Sequence, residues 1–311
     1  MGGGRYGTAR VGILTIVDAE FDAVRAALGG VEQVLEIGDS SYYSPAAGGD
    51  GDPDIVLAQA DRSNVPAMGA GRDLLEDFRP EVVLVCGIAG GIAGRDGIDV
   101  GHVVIADYLH YVEFRKLSAG ADLPRHYAYD QPSAGVVARH CRPHCRDLDL
   151  DAVTLSEAPE RDGDQDWPPA IHYGPIISSE KLLGDPSHPA QKDAAARFDN
   201  ALAVDMESVG VARAVHEERN DVTYNPRLTV IRGISDIVHP ELSPEIPEGG
   251  DPQLEGEGGE YLEEQNNQNQ RTHWRPYAAA AAAAVACGVG ERLLRQPDPR
   301  ADVRDLGDPY N

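Results

Sequence analysis

The sequence predicts an α/β protein with a mixed, mainly parallel central sheet, arranged as a three-layer α/β/α sandwich. Residues 11–17 and 81–86 are short apolar runs rich in β-branched residues, which is typical of buried strands. Residues 19–28, which follow the first run, carry their apolar side chains at helical spacing. Strands that alternate with helices in this way favour a parallel sheet covered by helices.

The same alternation continues along the chain, and we interpret residues 1–311 as one domain. Further strands are predicted at 54–58, 103–106, 171–177, 202–204 and 228–232, and further helices at 66–78, 209–217 and 277–294. In open parallel sheets, ligands bind at the carboxyl ends of the strands. The segments that follow the strands are therefore where we expect the functional site.

One segment interrupts this pattern. Residues 240–271 are acidic, rich in Glu, Gly, Pro, Gln and Asn, and show no apolar periodicity. This composition predicts a mobile surface loop. A lid over the site is the alternative, because the segment directly follows the last predicted strand.

The chain is strongly acidic, with 52 Asp and Glu residues against 27 Lys and Arg, and a net charge of −25. Only three of the basic residues are lysines. Nucleic acids and anionic membrane surfaces would repel such a chain, so neither is an expected partner. We interpret the charge as an adaptation to high salt, where screening makes it tolerable. An acidic protein from a GC-rich genome is the alternative.

Cysteine usage and the first residues favour a soluble cytoplasmic protein. Four cysteines are too few for a disulfide framework in a chain of this length. The first ten residues lack the basic and apolar regions of a secretory signal, and the apolar run 277–289 is too short to span a bilayer. The segment 140–145 carries two His and two Cys. A zinc site usually draws on two separated clusters, so no metal is expected.

Three acidic residues lie at the ends of predicted strands. Glu20 begins the helix after the first strand, Glu207 lies between a strand and a helix, and Asp236 follows the last strand. Each alone is explained as a favourable charge at a helix N-terminus or as a turn residue. Together they supply what cleavage of a nucleoside requires: an acid that protonates the leaving base, a carboxylate that holds the sugar, and a base that activates water. If phosphate attacks instead of water, an anion site is needed in place of that base.

The segment 87–91, Gly-Ile-Ala-Gly-Gly, is predicted as a loop that follows the strand 81–86. Glycine lets main-chain N–H groups face an anion or a sugar without an intervening side chain. We expect Ala89 and Gly90 to contact the substrate there. Taken alone, the segment is a common strand-to-loop turn.

These segments, in this order, resemble the nucleoside phosphorylase/nucleosidase superfamily, and most of all the methylthioadenosine/S-adenosylhomocysteine nucleosidases. The resemblance covers most of the chain, beginning at the first strand with Glu20. It continues through the segments 78–91, 101–107, 204–207, 231–236 and 274–280. It implies a phosphorylase/hydrolase-like fold. It also implies a homo-oligomer, a dimer or larger, in which neighbouring subunits help to close the site.

The resemblance assigns a role to each matching residue. Asp236 matches the acid that protonates the purine, and Glu20 matches the carboxylate that activates the attacking water. Glu207 matches the carboxylate that holds the ribose hydroxyls, and Met206 matches the residue that packs against the sugar. Further residues expected at the substrate site are Ser235, Arg232, Ala89, Gly90 and Ile177.

Three positions depart from the family pattern. Ile88 stands where the family commonly has a hydroxyl residue, so a contact to the nucleophile is missing or comes from elsewhere. Residues 61–63, Asp-Arg-Ser, replace a glycine-rich turn. Arg62 is there a candidate for binding phosphate, either as cosubstrate or on a nucleotide, and an exposed surface arginine is the alternative. Leu182 replaces the aromatic residue that stacks on adenine, which weakens the assignment of methylthioadenosine more than that of the bond type.

The sequence thus predicts an enzyme that hydrolyses the N-glycosidic bond of an adenine nucleoside related to methylthioadenosine or S-adenosylhomocysteine. A small-molecule purine nucleoside is the expected partner, and no cofactor is expected. The first alternative is a nucleoside phosphorylase, which would use inorganic phosphate as cosubstrate. The second alternative is a nucleotide-sensing or signalling module that keeps the fold without cleaving its ligand.

Overall fold

The computed structural model describes residues 4–45, 52–118, 121–124, 145, 170–181, 189–218, 224–238 and 256–296. Its strands are β1 (Val11–Thr15), β2 (Glu32–Ile37), β3 (Ser40–Ser44), β4 (Ile55–Gln59), β5 (Val82–Ile92), β6 (Val103–Tyr111), β7 (Arg115–Ser118), β8 (Ala121–Pro124), β9 (Ile171–Ser178), β10 (Ala203–Asp205) and β11 (Arg227–Val238). Its helices are α1 (Asp18–Ala27), α2 (Asn64–Phe78), α3 (Pro189–Arg197), α4 (Ser208–Glu218) and α5 (Gly256–Leu294). The α/β class is confirmed, whereas the sequence did not predict β2, β3, β7, β8 or α3.

Nine of these strands form one mixed sheet, in the order β10-β9-β6-β11-β5-β1-β4-β3-β2. β1 pairs in parallel with β4 and β5, and β5 pairs in parallel with β11. β10 also pairs antiparallel with β5, through Ala203 opposite Gly91 and Val204 opposite Gly90. The strands β5, β11, β6, β9 and β10 therefore close into a barrel, a closure that the expected three-layer sandwich does not include.

The Ala-rich part of α5 packs against this barrel. Most side chains of residues 277–289 are buried. A Cβ at Gly233 of β11 would collide with the carbonyl group of Ala278, so only glycine permits this close approach. The stretch Gln268–Leu294 is long and apolar enough to cross a membrane, but 67% of its most apolar part is buried inside the protein. The core helix of a soluble protein has the same property.

Several strands are longer than the sequence predicts, and for β5 and β11 the correction concerns the site. The segment 87–91 is part of β5 and not a loop, because β11 pairs along its whole length and β10 pairs with its end. Asp236 does not follow the last strand but lies within β11, which continues to Val238. Glycine, serine and aspartate are poor strand formers, and pairing with neighbouring strands overrides that local preference.

The segment 240–271 is not a loop throughout, because helix α5 begins at Gly256. Residues 240–255 lie outside the described residues. The backbone N–H of Ile237 donates to Oε1 of Gln270 at 2.9 Å. This hydrogen bond connects the end of β11 to a part of α5 whose composition predicts a mobile loop.

Candidate active site

A cavity lies where β5 and β11 meet the first turn of α1 and the segment after β10. Its apolar wall includes Ile16, Val17, Ile88 and Val204. Most of the residues predicted for the site line it: Glu20, Arg62, Ala89, Gly90, Met206, Glu207, Ser235 and Asp236. The structure therefore brings the three predicted carboxylates together in one place.

Glu20 is held by backbone donors from two elements. It lies in the first turn of α1 and is buried. Its Oε2 accepts hydrogen bonds from the N–H groups of Ile16 at 2.8 Å and Val17 at 3.0 Å. Its Oε1 accepts from the N–H of Ile88 on β5 at 2.8 Å. These three bonds hold the carboxylate in one orientation at the wall of the cavity.

A buried ion network lies behind the cavity. Arg232 on β11 is fully buried, and its Nε donates to Oδ2 of Asp205 at 2.9 Å. Its Nη2 lies 3.4 Å from Oε2 of Glu207. Burial alone would lower the pKa of Arg232, but the charges of Asp205 and Glu207 raise it. The guanidinium therefore stays charged inside the protein and balances both carboxylates.

Glu207 lines the cavity together with Asp205, another member of this network. Backbone N–H groups of Ser63 and Met206 donate to its two oxygens, each at 3.3 Å. Burial raises the pKa of Glu207, and the charge of Arg232 opposes that rise. The carboxylate is thus oriented to accept hydrogen bonds from hydroxyl groups in the cavity.

Gly87 on β5 has no side chain, and this leaves room for Glu20 and Arg232 to lie close to the strand. A Cβ at position 87 would collide with both Nη1 of Arg232 and Oε1 of Glu20. Nη1 of Arg232 is buried and has no hydrogen-bond partner among the described residues. A small polar molecule next to these groups would find a cationic donor beside a carboxylate acceptor.

The turn before α2 is strained at Ser63. Its φ of 88° and ψ of 154° fall in a region that is essentially restricted to glycine. Its backbone N–H donates to Glu207, and its Oγ donates to Oε2 of Glu180 at 2.8 Å. Arg62, the preceding residue, is exposed and lines the cavity. The segment 61–63 therefore keeps a glycine-like backbone although it contains no glycine.

We expect Ser63→Gly to be more stable than Ser63→Ala by about 1 kcal/mol or more. Both variants lose the hydrogen bond from the Ser63 hydroxyl to Glu180. The difference between their free energies of unfolding therefore reports the backbone strain at position 63. The strain costs about 1–3 kcal/mol, which exceeds the roughly 0.5–1 kcal/mol that the flexibility of glycine costs on folding. Denaturant unfolding measures the difference. An alanine variant as stable as the glycine variant would show that the backbone at Ser63 is unstrained.

A β-bulge directs two successive side chains of β11 into the cavity. Neighbouring residues on a strand normally point to opposite faces. The pairing of β11 with β5 shifts register between Ile234 and Asp236, which leaves Ser235 as the extra residue. As a result, Ser235 and Asp236 both line the cavity. The Oγ of Ser235 donates to Oδ1 of Asp236 at 2.7 Å.

Arg271 on α5 is a site residue that the sequence reasoning missed. Its Nε lies 3.1 Å from Oδ1 of Asp236, and its Nη2 lies 2.8 Å from Oδ2. Burial would lower the pKa of Arg271, but its hydrogen bonds to Asp236 and the charge of Asp236 raise it. Arg275 and Lys181 also line the cavity. A sequence signal was present, because Arg271 and Arg275 are four residues apart and so share a helix face directly before the Ala-rich run.

One predicted site residue needs correction, and two other predictions concern residues outside the described part of the chain. Ile177 does not line the cavity but is fully buried on β9, in a core cluster with Ile92 and Phe198. An apolar residue on a strand that is covered on both faces belongs to such a core. Leu182 and residues 140–144 lie outside the described residues. Within the part of the chain that is described, no group of three His, Cys, Asp or Glu side chains is placed to hold a metal ion.

Comparison with known proteins relates the chain to one family. The family model of the "Phosphorylase superfamily" matches residues 11–257. The 5'-methylthioadenosine/S-adenosylhomocysteine nucleosidase of Listeria innocua is 25% identical over 237 residues, which cover 75% of this chain and 88% of that protein. The protein of the same name from Anoxybacillus flavithermus is 28% identical over 206 residues, which cover 66% of this chain and 76% of that protein.

Solved structures share the fold. The 5'-methylthioadenosine/S-adenosylhomocysteine nucleosidase of Neisseria meningitidis, in complex with methylthio-immucillin-A, has a TM-score of 0.62 at 18% identity, covering 92% of this chain and 99% of that one. The futalosine hydrolase of Helicobacter pylori has a TM-score of 0.63 at 14% identity, covering 92% of this chain and 98% of that one. The family match over residues 11–257 shows that the chain belongs to the phosphorylase superfamily.

Proposed function

We propose that this protein hydrolyses the N-glycosidic bond of a purine nucleoside and releases the free base. The observation that carries the proposal is the bulge in β11, which puts Asp236 in the same cavity as Glu20 and Glu207. One cavity thus holds an acid for the base, a carboxylate for the sugar and a carboxylate for water. The relatives named as nucleosidases of methylthioadenosine and S-adenosylhomocysteine support the same bond type.

Asp236 is the proposed general acid. A purine leaves more readily when its N7 gains a proton, because the base then departs as a neutral molecule. Asp236 is only 1% exposed, and its contacts with Ser235 and Arg271 fix the direction of its carboxyl group. The proton passes from Asp236 to N7 while the electrons of the C1′–N9 bond pass to the base.

Glu207 is proposed to hold the ribose hydroxyls, and Met206 to pack against the sugar. The ribosyl group develops positive charge as the bond breaks, and a fixed carboxylate beside it stabilises that charge. Arg232 and the N–H of Ser63 keep Glu207 in position. This preorganisation means that little reorganisation is needed during the reaction.

Water is the proposed nucleophile, and Glu20 is the proposed base. The fixed carboxylate of Glu20 accepts a proton from the water as the water oxygen bonds to C1′. A phosphate in the same place would meet the negative charge of Glu20 and the apolar side chain of Ile88. The phosphorylase alternative rests on the exposed guanidinium of Arg62. No cofactor takes part in either scheme.

Base release with and without phosphate tests the proposal. The protein is incubated with adenosine, inosine or methylthioadenosine, and the free base is separated and measured. We expect release in phosphate-free buffer, at a rate that added phosphate does not raise. Release that requires phosphate would replace hydrolysis by phosphorolysis. Purine binding without release in either buffer would instead favour a sensing module.

A further inference from the structure

Arg271 orients the proposed acid, and it also changes which hydrogen-bonding groups surround that acid. Its guanidinium makes two hydrogen bonds to Asp236, from Nε to Oδ1 and from Nη2 to Oδ2. Guanidinium groups carry only donors and no acceptor. The part of the wall that Arg271 forms therefore offers only hydrogen-bond donors. Arg275, one helical turn further along α5, adds a second guanidinium to the same cavity.

The acceptors of Asp236 are largely occupied. Each carboxylate oxygen has two lone-pair directions. Oδ1 already accepts from Oγ of Ser235 at 2.7 Å and from Nε of Arg271 at 3.1 Å. Oδ2 accepts from Nη2 of Arg271 at 2.8 Å, and its remaining lone pair can carry the proton toward N7. An amino group on the base would then find no open acceptor on this carboxyl group.

Purine bases differ on the edge that contains N7. Guanine presents two neighbouring acceptors there, N7 and O6, whereas adenine presents the N7 acceptor beside the N6 amino donor. Hypoxanthine has the same 6-oxo group as guanine. When Oδ2 of Asp236 is protonated on its remaining lone pair, it becomes a donor to N7. Nη2 of Arg271, 2.8 Å away, carries two N–H groups, and the one that does not bind Oδ2 is a second donor beside it. Two adjacent donors match two adjacent acceptors, which only the 6-oxopurines provide.

We propose that Arg271 makes this site select a 6-oxopurine, hypoxanthine or guanine, as the leaving base in preference to adenine. This inference rests on the proposed function and departs from the adenine nucleoside that the sequence resemblance implies. The proton moves from Oδ2 of Asp236 to N7 as the C1′–N9 bond breaks, and water adds to C1′ and gives its proton to Glu20. The new carboxylate of Asp236 then regains its ion pair with Arg271. The proton on Glu20 returns to solvent, and Asp236 takes up a proton from solvent before the next turnover.

Matched nucleoside pairs test the selection. The ratio of kcat/KM is measured for inosine against adenosine and for 5′-methylthioinosine against 5′-methylthioadenosine, so that only the base differs within a pair. We expect the wild type to favour the 6-oxopurine by about tenfold or more. Arg271→Gln should lower that ratio by about tenfold or more, because a side-chain amide offers a donor and an acceptor that suit N7 and N6 of adenine.

Arg72→Gln is the matched control, because Arg72 is an exposed arginine on α2 that pairs with Glu217. It should leave the ratio unchanged. A wild type that favours adenosine, or an Arg271→Gln variant with the wild-type ratio, would overturn the proposal.

Equilibrium binding of the free bases separates this proposal from the proposed function. If no nucleoside is cleaved, but the wild type binds hypoxanthine more tightly than adenine and Arg271→Gln does not, the selection stands and hydrolysis is wrong. Tighter binding of adenine to the wild type would overturn the selection, whether or not nucleosides are cleaved. Calorimetry with hypoxanthine and adenine as the two probes makes this measurement without turnover.

Discussion

Asp236→Asn is expected to lower the rate of base release by about 10²–10⁴-fold while the protein remains folded. Asparagine keeps the shape of the side chain, and its carbonyl oxygen still accepts a hydrogen bond from Arg271. It has no carboxylic proton to give to N7, so the purine would have to leave as an anion. Steady-state kinetics measures the rate, and circular dichroism shows whether the variant is folded.

Asp22→Asn is the control for this variant. Asp22 is an exposed acid on α1 that pairs with Arg25, so its replacement removes a carboxylate without touching the cavity. We expect wild-type kinetics from it. A loss of less than about tenfold in folded Asp236→Asn would mean that another group protonates the base, since general acids contribute more than this.

Arg232→Met is expected to lower the free energy of unfolding by about 3–5 kcal/mol. The substitution leaves Asp205 and Glu207 as buried carboxylates without their guanidinium, and their side chains are only 0% and 10% exposed. Methionine fills much of the volume of the arginine side chain, so little of the lost stability comes from a new cavity. Most of it comes from the two carboxylates whose charge is no longer compensated. The destabilisation should shrink at acidic pH, because protonated carboxyl groups no longer need the cation.

Arg72→Met provides the comparison for the stability measurement. The Arg72–Glu217 pair is exposed, with side-chain exposures of 45% and 38%, and exposed pairs contribute about 0–1 kcal/mol. Denaturant unfolding of both variants at neutral pH gives the two values. Equal losses in Arg232→Met and Arg72→Met would show that the buried network does not depend on Arg232.

The three carboxylates could be predicted from the sequence because each lies in a short contiguous motif. Glu20 follows an apolar run, Glu207 stands between a strand and a helix, and Asp236 closes the last apolar run. These local patterns place each residue near the end of an element. In the structure, Glu20, Glu207 and Asp236 line one cavity.

The features that the sequence did not predict depend on contacts between distant parts of the chain. The bulge at Ser235 arises from the register of β11 against β5, and the barrel closes only where β10 meets Gly90 and Gly91. Arg271 was missed for a different reason. It follows a run of Gln and Asn that is typical of disorder, yet the helix there is tied to β11 through Gln270. Composition carries no information about such a tertiary contact.

The products that the wild-type protein forms from a purine nucleoside in phosphate-free buffer test the central claim most directly. Free purine and free sugar are quantified from the same reaction. The account predicts that both appear, in equal amounts and at the same rate. A protein that binds the nucleoside but forms neither product, or that forms a sugar phosphate only after phosphate is added, would contradict it.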